Sequence, residues 1–365
     1  MKIKGKNILF CVSSLGLGHA TRELPIIYHY VNDNKIFVIS AGNSLSLLKQ
    51  ELKSKNAKFF ELKDYPTLER GEGFSFYLYM IHDLTKVNIM IRKEHKFVEE
   101  IVQKHKIDLV FSDMRYGCYS TKVPSFGIAH QISFSIKKEI SFLQNFVDNF
   151  NKMSFNKFTK LLIPDFKGKH SLAGDLSHPK ILSKVDHEYI GLLSSVPHIK
   201  KKKDIDYLFV ISGFLKEHIK IFINRLIDEA KFLKGKKVFI LGDPTRNEHK
   251  KLPNNIEVYS FAPIKLRNDL MNRAKIVVSR SGYTTVLDLI ELDLTGILVP
   301  TPNQSEQEYL ADFLGKKKYF LTFKDQDSFT LKGIQKKLKN IKKYENKSKT
   351  AQSLEKIDKI VGECL

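Results

Sequence analysis

The sequence predicts an α/β protein built from two doubly wound parallel-sheet domains in tandem. Short runs of Ile, Val, Leu and Phe alternate with amphipathic stretches, which is typical of strands joined by crossover helices. The alternation restarts after the four lysines at 200–203. The length of 365 residues also suits about two domains of roughly 100–200 residues each. We therefore expect two parallel sheets with right-handed crossovers, facing each other across a cleft.

The first domain is predicted to span residues 1–198 and to contain six strands and four helices. Each strand is short and rich in β-branched or aromatic residues. The strands are Asn7–Ser13, Lys35–Ser40, Lys58–Glu61, Ile107–Ser112, Ser125–His130 and Lys160–Pro164. The helices between them are Thr21–Val31, Ser44–Ser54, Thr85–His105 and Lys138–Phe158.

The second domain is predicted to span residues 199–348 and to repeat the same pattern. A C-terminal helix within residues 349–365 is expected to pack back on the first domain. The strands are Tyr207–Ser212, Lys237–Gly242, Ile256–Phe261, Lys275–Ser279 and Gly296–Pro300. The helices are Leu215–Phe232, Thr284–Glu291 and Ser305–Leu314, with the final helix at about Thr350–Cys364.

The net charge of +21 predicts attraction to polyanions. Nucleic acid, an anionic membrane surface and phosphorylated substrates all qualify, and lysines spread over solvated faces would give the same balance. The lysine clusters lie apart, at 200–203, 316–318 and 332–343, and no basic stripe interleaved with aromatics is visible. We therefore expect no nucleic-acid partner, and assign the charge to peripheral attachment on the cytoplasmic face of an anionic membrane.

The cysteines and the N-terminus indicate a cytoplasmic protein. Cys11, Cys118 and Cys364 show neither metal-ligand nor CxxC spacing, so a reducing compartment is expected. Three lysines before the apolar run 8–12 imitate a signal peptide, but the run is short and no cleavage pattern follows it. The sequence contains no apolar run of about 18 residues, so no membrane span is predicted.

A glycine loop connects the first strand to the first helix. Gly16 and Gly18 allow a tight turn and a close approach of the main chain to a ligand. The helix start that follows offers N–H groups to an anion. A dinucleotide fingerprint would need a third glycine where Thr21 stands and an acidic residue after the second strand, so NAD and FAD are not expected.

Three strand ends of the first domain carry side chains suited to acid–base chemistry. His19, Asp113 and His130 each follow a predicted strand, and the carboxyl ends of parallel strands share one edge of a sheet. His19 or Asp113 could take a proton from a hydroxyl group. Both residues also have a plainer explanation: His19 could form a hydrogen bond to the loop backbone, and Asp113 could be a helix N-cap.

The second domain carries the most specific pattern. A buried strand ends in a glycine turn, and hydroxyl groups at Ser281 and Thr284 accompany the next helix start, which suits a diphosphate. Asp288 follows about one helical turn later, placed for ribose hydroxyls. Glu306 and Gln307 open the next helix with the carboxylate and amide that sugar hydroxyls need.

These motifs resemble the family 28 glycosyltransferases of the GT-B fold, and among them the transferases that add N-acetylglucosamine to the undecaprenyl-linked muramyl-pentapeptide. The match consists of Ser-Arg-Ser-Gly at 279–282, Thr285-Val286, and Val299-Pro300 followed by Glu306-Gln307. The run Gly-Leu-Gly-His-Ala-Thr-Arg at 16–22 is similar to the family's N-terminal glycine loop. Residues 127–131 resemble its histidine-containing strand end more loosely.

The resemblance implies a role for each matched residue. Asp288 stands where the family has a ribose-binding Glu, and His19 would lie on the acceptor side near the reacting carbon. The implied donor-binding residues are Ser212, Gly213, Phe261, Ala262, Arg280, Ser281, Gly282, Thr284, Asp288, Glu306 and Gln307. Gly16, Gly18, Arg22 and His130 would form the acceptor loop.

The implied reaction is transfer of a hexose or N-acetylhexosamine from a UDP-sugar to a hydroxyl acceptor, with lipid-linked acceptors included. Direct displacement would invert the anomeric carbon, with no cofactor beyond the co-substrate. No metal is expected, since the Asp-x-Asp strings at 204–206 and 325–327 abut a linker and a polar turn. A nucleotide-sugar 2-epimerase of the same fold and a noncatalytic sugar- or lipid-binding protein remain the alternatives.

Overall fold

A computed structural model describes residues 2–65, 74–133, 144–211, 217–243, 246 and 248–365. The chain divides into two compact units. Unit 1 contains residues 1–171, 175–195 and 348–365, and unit 2 contains residues 172–174 and 196–347. The second unit is thus inserted into the first, which the final segment of the chain completes.

Unit 1 is built on a seven-stranded parallel sheet. The strands are β1 (Asn7–Val12), β2 (Lys35–Ser40), β3 (Ala57–Glu61), β4 (Leu109–Asp113), β5 (Ser125–Ile128), β6 (Lys160–Ile163) and β7 (His187–Tyr189). Their spatial order is β3-β2-β1-β4-β5-β6-β7. The helices are α1 (Leu17–Tyr30), α2 (Gly42–Glu51), α3 (Phe74–His105) and α4 (Gln144–Phe155).

The central strands of this sheet position the loops that follow them. β1 and β4 are almost wholly buried and pair in parallel, with Val12 opposite Asp113. Apolar side chains on both faces are expected where helices cover a parallel sheet. The strand order reverses between β1 and β4, so the chain leaves these two strands in opposite directions. A crevice at their carboxyl ends follows from this topology.

Unit 2 repeats the architecture with one antiparallel strand. Its strands are β8 (Ile205–Val210), β9 (Lys237–Ile240), β10 (His249–Leu252), β11 (Ile256–Tyr259), β12 (Ala274–Ser279), β13 (Thr295–Leu298) and β14 (Leu321–Thr322). The order is β10-β11-β9-β8-β12-β13-β14, and only β10 runs antiparallel. The helices are α5 (Glu217–Ala230), α6 (Ile264–Arg273), α7 (Tyr283–Glu291), α8 (Ser305–Lys316) and α9 (Ile334–Leu338). The order reverses between β8 and β12.

The last helix, α10 (Thr350–Gly362), belongs to unit 1 and packs against α1. The Asp358 carboxylate accepts hydrogen bonds from the Tyr30 hydroxyl at 2.7 Å and from His29 Nε2 at 2.9 Å. Lys356 Nζ donates to the main-chain oxygen of Tyr189 at 2.7 Å. Polar contacts on either side of the buried Ile357 therefore hold α10 to α1 and to β7.

Several elements differ from the sequence predictions. β7, β10 and β14 were not predicted, and all three are short strands near or at a sheet edge with few apolar residues. Helix α6 was also missed, because its sequence is strongly polar. Helix α3 begins at Phe74 instead of Thr85. The side chains of the aromatic segment 74–79 lie outside the described residues.

The aspartates of the two Asp-x-Asp strings form polar contacts with nearby groups of the protein. Asp204 accepts from Arg273 Nε at 2.8 Å and from Nη2 at 2.7 Å, and Asp206 pairs with Lys275 at 2.7 Å. Asp325 closes a turn by accepting from a main-chain N–H three residues later, at 2.7 Å. Within the described part of the chain, no cluster of three or more His, Cys, Asp or Glu side chains suits a metal ion.

No helix in the described segments is both long enough and apolar enough to cross a bilayer.

Candidate functional site

His19 and Asp113 contact each other where the strand order of unit 1 reverses. Asp113 is the last residue of β4, and its carboxylate is completely buried. His19 lies in the first turn of α1, directly after β1. Its Nδ1 lies 3.1 Å from Asp113 Oδ1, and 20% of the histidine side chain is exposed. The imidazole therefore lies between a buried carboxylate and solvent.

Arg22 fixes the arrangement of protons in this pair. Its buried guanidinium donates to Asp113 Oδ1. An ionised carboxylate only accepts hydrogen bonds, so His19 Nδ1 donates to the same oxygen. Although Arg22 Nη2 also lies 3.1 Å from His19 Nδ1, a protonated Nδ1 accepts nothing from it. Neutral His19 then carries its lone pair on Nε2, as a general base requires.

His130 joins the same cluster through Arg22. It follows β5 and is 7% exposed. Its Nδ1 contacts Arg22 Nη1. Because a guanidinium only donates, His130 accepts through Nδ1 and, when neutral, carries its proton on Nε2. The structure thus brings together the three strand-end residues that the sequence placed on one edge, and Arg22 links them.

The electrostatics of the cluster separate two neighbouring carboxyl groups. Burial alone would raise the pKa of Asp113, but the charges of Arg22 and His19 and their hydrogen bonds outweigh it and lower that pKa. Burial, and then the charge of Asp113, raise the pKa of Glu23 against the opposing charge of Arg22. One carboxyl group therefore favours the ionised form and the other the neutral form. Sequence reasoning missed Glu23, whose only signal is its place beside Arg22.

The chain turns at Gly16, where His19 N donates to Gly16 O at 3.3 Å, but neither Gly16 nor Gly18 has the left-handed conformation that favours glycine. Gly16 has φ of 171°, an extended conformation that any residue adopts, and Gly18 lies inside α1. A Cβ added at Gly16 would meet no atom within 4 Å. The backbone therefore does not require glycine at position 16, whereas a substrate approaching the main chain would.

The corresponding edge of unit 2 presents the start of α7. Gly282 is the N-cap of this nine-residue helix, with φ of −71°, and a Cβ there would meet no atom within 4 Å. The first N–H groups of a helix lack intrahelical acceptors and attract anions. Ser212 and Gly213, the other predicted phosphate contacts, lie outside the described residues.

Arg280 supports its loop from inside the protein, and its predicted donor-binding role stays a prediction. Its side chain is 3% exposed, and it donates to Pro300 O at 3.0 Å and to Gln326 Oε1 at 3.1 Å. The guanidinium also lies 4.6 Å from the centroid of the Phe222 ring. Burial lowers the pKa of Arg280 to about 10. The side chain therefore joins β12 to the loops after β13 and β14.

Ser281 and Gln307 belong to one hydrogen-bonded network at the start of α8. Ser281 Oγ is buried and donates to the main-chain oxygen of Gln307 at 2.7 Å. Gln307 Oε1 accepts from Thr301 N at 2.9 Å, and its Nε2 donates to Gln304 Oε1. Both side chains thus help to hold this loop, and their predicted contacts with phosphate and with the donor sugar stay predictions.

Asp288 is completely buried and forms an ion pair with Arg267 of α6. The arginine side chain is 18% exposed, and its Nη1 is buried without a hydrogen-bond partner among the described residues. The carboxylate predicted to accept hydrogen bonds from the ribose is therefore paired with the Arg267 guanidinium. Sequence reasoning missed Arg267 because it did not recognise the polar helix that carries it.

The remaining predicted donor residues lie at the same edge of the unit 2 sheet. Phe261 and Ala262 follow β11, Thr284 lies in the first turn of α7, and Glu306 lies in the first turn of α8. Ala262 is buried, and the other three side chains are partly exposed. Their roles towards a nucleotide sugar stay predictions.

The comparisons with known proteins agree with this architecture. Residues 220–361 match the glycosyltransferase family 28 C-terminal domain. This match spans less than half of the chain and includes β12, α7 and the turn before α8. No curated protein sequence matches the chain. The match shows that the C-terminal part of the chain resembles this domain.

Solved glycosyltransferase structures cover nearly the whole chain. CalG4, the calicheamicin glycosyltransferase, matches 99% of this chain and 95% of its own at 14% identity, with a TM-score of 0.60. The spinosyn rhamnosyltransferase SpnG, complexed with thymidine diphosphate, matches 98% and 96% at 11% identity, with a TM-score of 0.58. MurG of Acinetobacter baumannii matches 98% and 99% at 10% identity, with a TM-score of 0.56. These likenesses show the GT-B fold.

Proposed function

We propose that the protein is an inverting glycosyltransferase that moves a hexose or N-acetylhexosamine from a UDP-sugar to a hydroxyl acceptor. The observation that carries the proposal is the His19–Asp113 pair at the reversal of strand order in unit 1. A partly exposed imidazole held through Nδ1 by a buried carboxylate suits removal of a hydroxyl proton. The matched donor-binding segment of unit 2 supplies the second half of the argument.

In the proposed reaction, His19 Nε2 takes the proton of the acceptor hydroxyl as its oxygen attacks the anomeric carbon. The bond between that carbon and the diphosphate oxygen breaks, and its electron pair leaves with UDP. Asp113 stabilises the imidazolium that forms. The N–H groups at the start of α7, beside Gly282, stabilise the charge on the leaving diphosphate. A single displacement inverts the anomeric carbon.

We further propose that these groups act without a metal ion. The main-chain dipoles at Gly282 neutralise the leaving group, and the aspartates of the two Asp-x-Asp strings are already held by Arg273, Lys275 and a local turn. Activity should therefore persist in excess chelator. A requirement for added Mg²⁺ or Mn²⁺ after chelation would contradict this part of the proposal.

The acceptor is proposed to be a lipid-linked or membrane-borne glycan. The net charge of +21 suits an anionic membrane surface, and Leu15 and Leu17 are 53% and 39% exposed beside Gly16. An acceptor with an apolar portion fits such a loop. A panel of acceptors differing only in the presence of a polyprenyl chain tests this choice.

The decisive experiment measures nucleotide binding and sugar transfer separately. Calorimetry with UDP, thymidine diphosphate and UDP-sugars identifies the donor, mass spectrometry of acceptor reactions detects the product, and proton NMR gives the configuration of its sugar. We expect UDP to bind and the product to carry the inverted linkage. Conversion of UDP-N-acetylglucosamine to its 2-epimer without any acceptor would overturn the proposal in favour of an epimerase.

A further inference from the structure

A buried ion pair lies close to the His19–Asp113 cluster without belonging to it. Glu94 of α3 and Arg115, two residues after β4, have side-chain exposures of 2% and 0%. Arg115 Nε and Nη2 lie 2.8 Å and 2.7 Å from Glu94 Oε1. Burying such a pair is costly unless further hydrogen bonds satisfy its remaining donors. The further hydrogen bonds of Glu94 and Arg115 show which segments this ion pair holds in place.

The remaining donors of Arg115 hold the segment after β3. Nη1 donates to Leu62 O and Nη2 to Lys63 O, both at 3.0 Å. Burial by itself would lower the pKa of Arg115, but the neighbouring negative groups, Glu94 and Asp64 among them, outweigh it and raise that pKa. The two carbonyl groups directly before Asp64 are thus fixed to a buried cation.

Asp64 in turn holds the entrance of the glycine loop. Its Oδ2 accepts from Ser13 Oγ at 2.9 Å, from Ser14 Oγ at 3.1 Å and from the Ser14 main-chain N–H. Its Oδ1 accepts from the Tyr65 main-chain N–H at 3.1 Å. A single carboxylate therefore anchors the two residues that lead from β1 towards α1.

The same ion pair also fixes the loop after Asp113. Gly117 N donates to Glu94 Oε2 at 3.1 Å, and Ser112 Oγ donates to Arg115 O at 2.8 Å. A Cβ at Gly117 would lie 2.3 Å from Ile91 O, so this loop packs directly against α3. The loops after β1, β3 and β4 are consequently connected through one buried pair.

We propose that Asp64 is a positioning residue of this site: it fixes Ser13 and Ser14, and through them the first turn of α1 that carries His19. The inference rests on the proposed function of unit 1. The N-cap Gly16 makes no side-chain capping bond, so α1 has no such bond of its own at this end. The carboxylate on the neighbouring loop supplies the missing constraint, and Glu94–Arg115 keeps it in place.

Substitution of Asp64 tests the proposal. In D64A we expect kcat to fall about 10- to 100-fold, because small displacements of a catalytic group are costly, while KM for the donor stays unchanged. D64N keeps one acceptor oxygen and should recover part of the lost rate. The matched control is D33A, which removes a carboxylate that pairs with Lys2 at 2.7 Å at the start of β2. That variant should match the wild type in kcat and KM.

Two measurements judge the inference independently of transfer. Hydrogen exchange of the Ser14 amide should accelerate in D64A and stay slow in D33A. Nitrogen NMR of the His19 ring should show the Nδ1–H tautomer in the wild type and a mixture of tautomers in D64A. Unfolding midpoints near that of the wild type establish that D64A is folded.

The outcomes separate this inference from the proposed function. If the wild type transfers sugar and D64A does so equally well, with Ser14 still protected, the positioning role is wrong and the transferase proposal stands. If the wild type transfers no sugar, the proposed function fails. Unchanged Ser14 exchange and His19 tautomer in D64A would then overturn the loop anchor as well.

Discussion

At the scale of single residues, the His19–Asp113 contact makes the most direct prediction. His19→Ala removes the proposed base, so we expect turnover to fall by about 10²- to 10⁴-fold. Donor affinity should be unchanged, since the segment proposed to bind the donor lies in unit 2. Calorimetry with UDP and steady-state kinetics check the two halves. Weakened UDP binding with normal turnover would contradict both assignments.

The Arg267–Asp288 pair makes a prediction about stability. Asp288→Ala leaves Arg267 without its buried partner, and we expect a loss of about 3–5 kcal/mol in the free energy of unfolding. Replacing both, in Arg267→Met with Asp288→Leu, should recover most of that loss. Denaturant titration of the single and double variants gives the coupling. If the double variant instead loses as much stability as the two single variants together, the two side chains do not stabilise each other.

Individual site residues were predictable only where the main chain fixes their position. His19, Asp113 and His130 follow strands, and parallel topology alone brings strand ends to one edge. The direction of the Arg280 side chain depends instead on a distant carbonyl group and on the Phe222 ring. No local pattern in the sequence encodes such contacts.

At the scale of elements, α10 offers a test of how unit 1 is completed. Asp358→Ala removes the partner of Tyr30 and His29, and we expect a loss of about 1.5–3 kcal/mol, the usual range for hydrogen bonds to a charged group. Exposed Glu355 on the same helix provides the control, since its alanine variant should change stability little. Hydrogen exchange over residues 350–362 gives the measurement. Equal exchange in both variants would count against the anchor.

The Asp204–Arg273 ion pair makes a prediction about the pH dependence of stability. A hydrogen bond from Arg273, and then its charge, lower the pKa of Asp204 to about 2 against the effect of burial. An unfolded aspartate has a pKa of about 3.9. The stability that this pair contributes is therefore fully present above about pH 4 and lost as the pH falls towards 2. The difference in stability between wild type and Asp204→Asn should shrink over that window, and a constant difference would refute it.

The central strands were predictable because β1, β4, β8 and β12 each contain an unbroken run of apolar residues. The edge strands were not, since β10 reads His-Lys-Lys-Leu and owes its conformation to pairing with β11. Tertiary context also decides α6, whose polar sequence becomes helical beside β8 and β12. The predictable elements are those that carry the strand-end residues.

At the scale of the whole molecule, the charge of +21 predicts a salt-dependent surface interaction. Vesicles containing anionic phospholipid should bind the protein at low ionic strength and release it at about 0.5 M salt, because screening shortens the range of the attraction. Neutral phosphatidylcholine vesicles are the control. Sedimentation measures the bound fraction. Equal binding to both kinds of vesicle would assign the interaction to something other than charge.

The insertion of unit 2 into unit 1 has a consequence for synthesis of the protein. Residues 196–347 leave the ribosome before α10 does, so the face of α1 that contacts this helix stays uncovered until all of unit 2 has been synthesised. Unit 2 has all of its own strands by then and is able to fold first. We therefore expect unit 1 to complete its folding only after unit 2 has been synthesised.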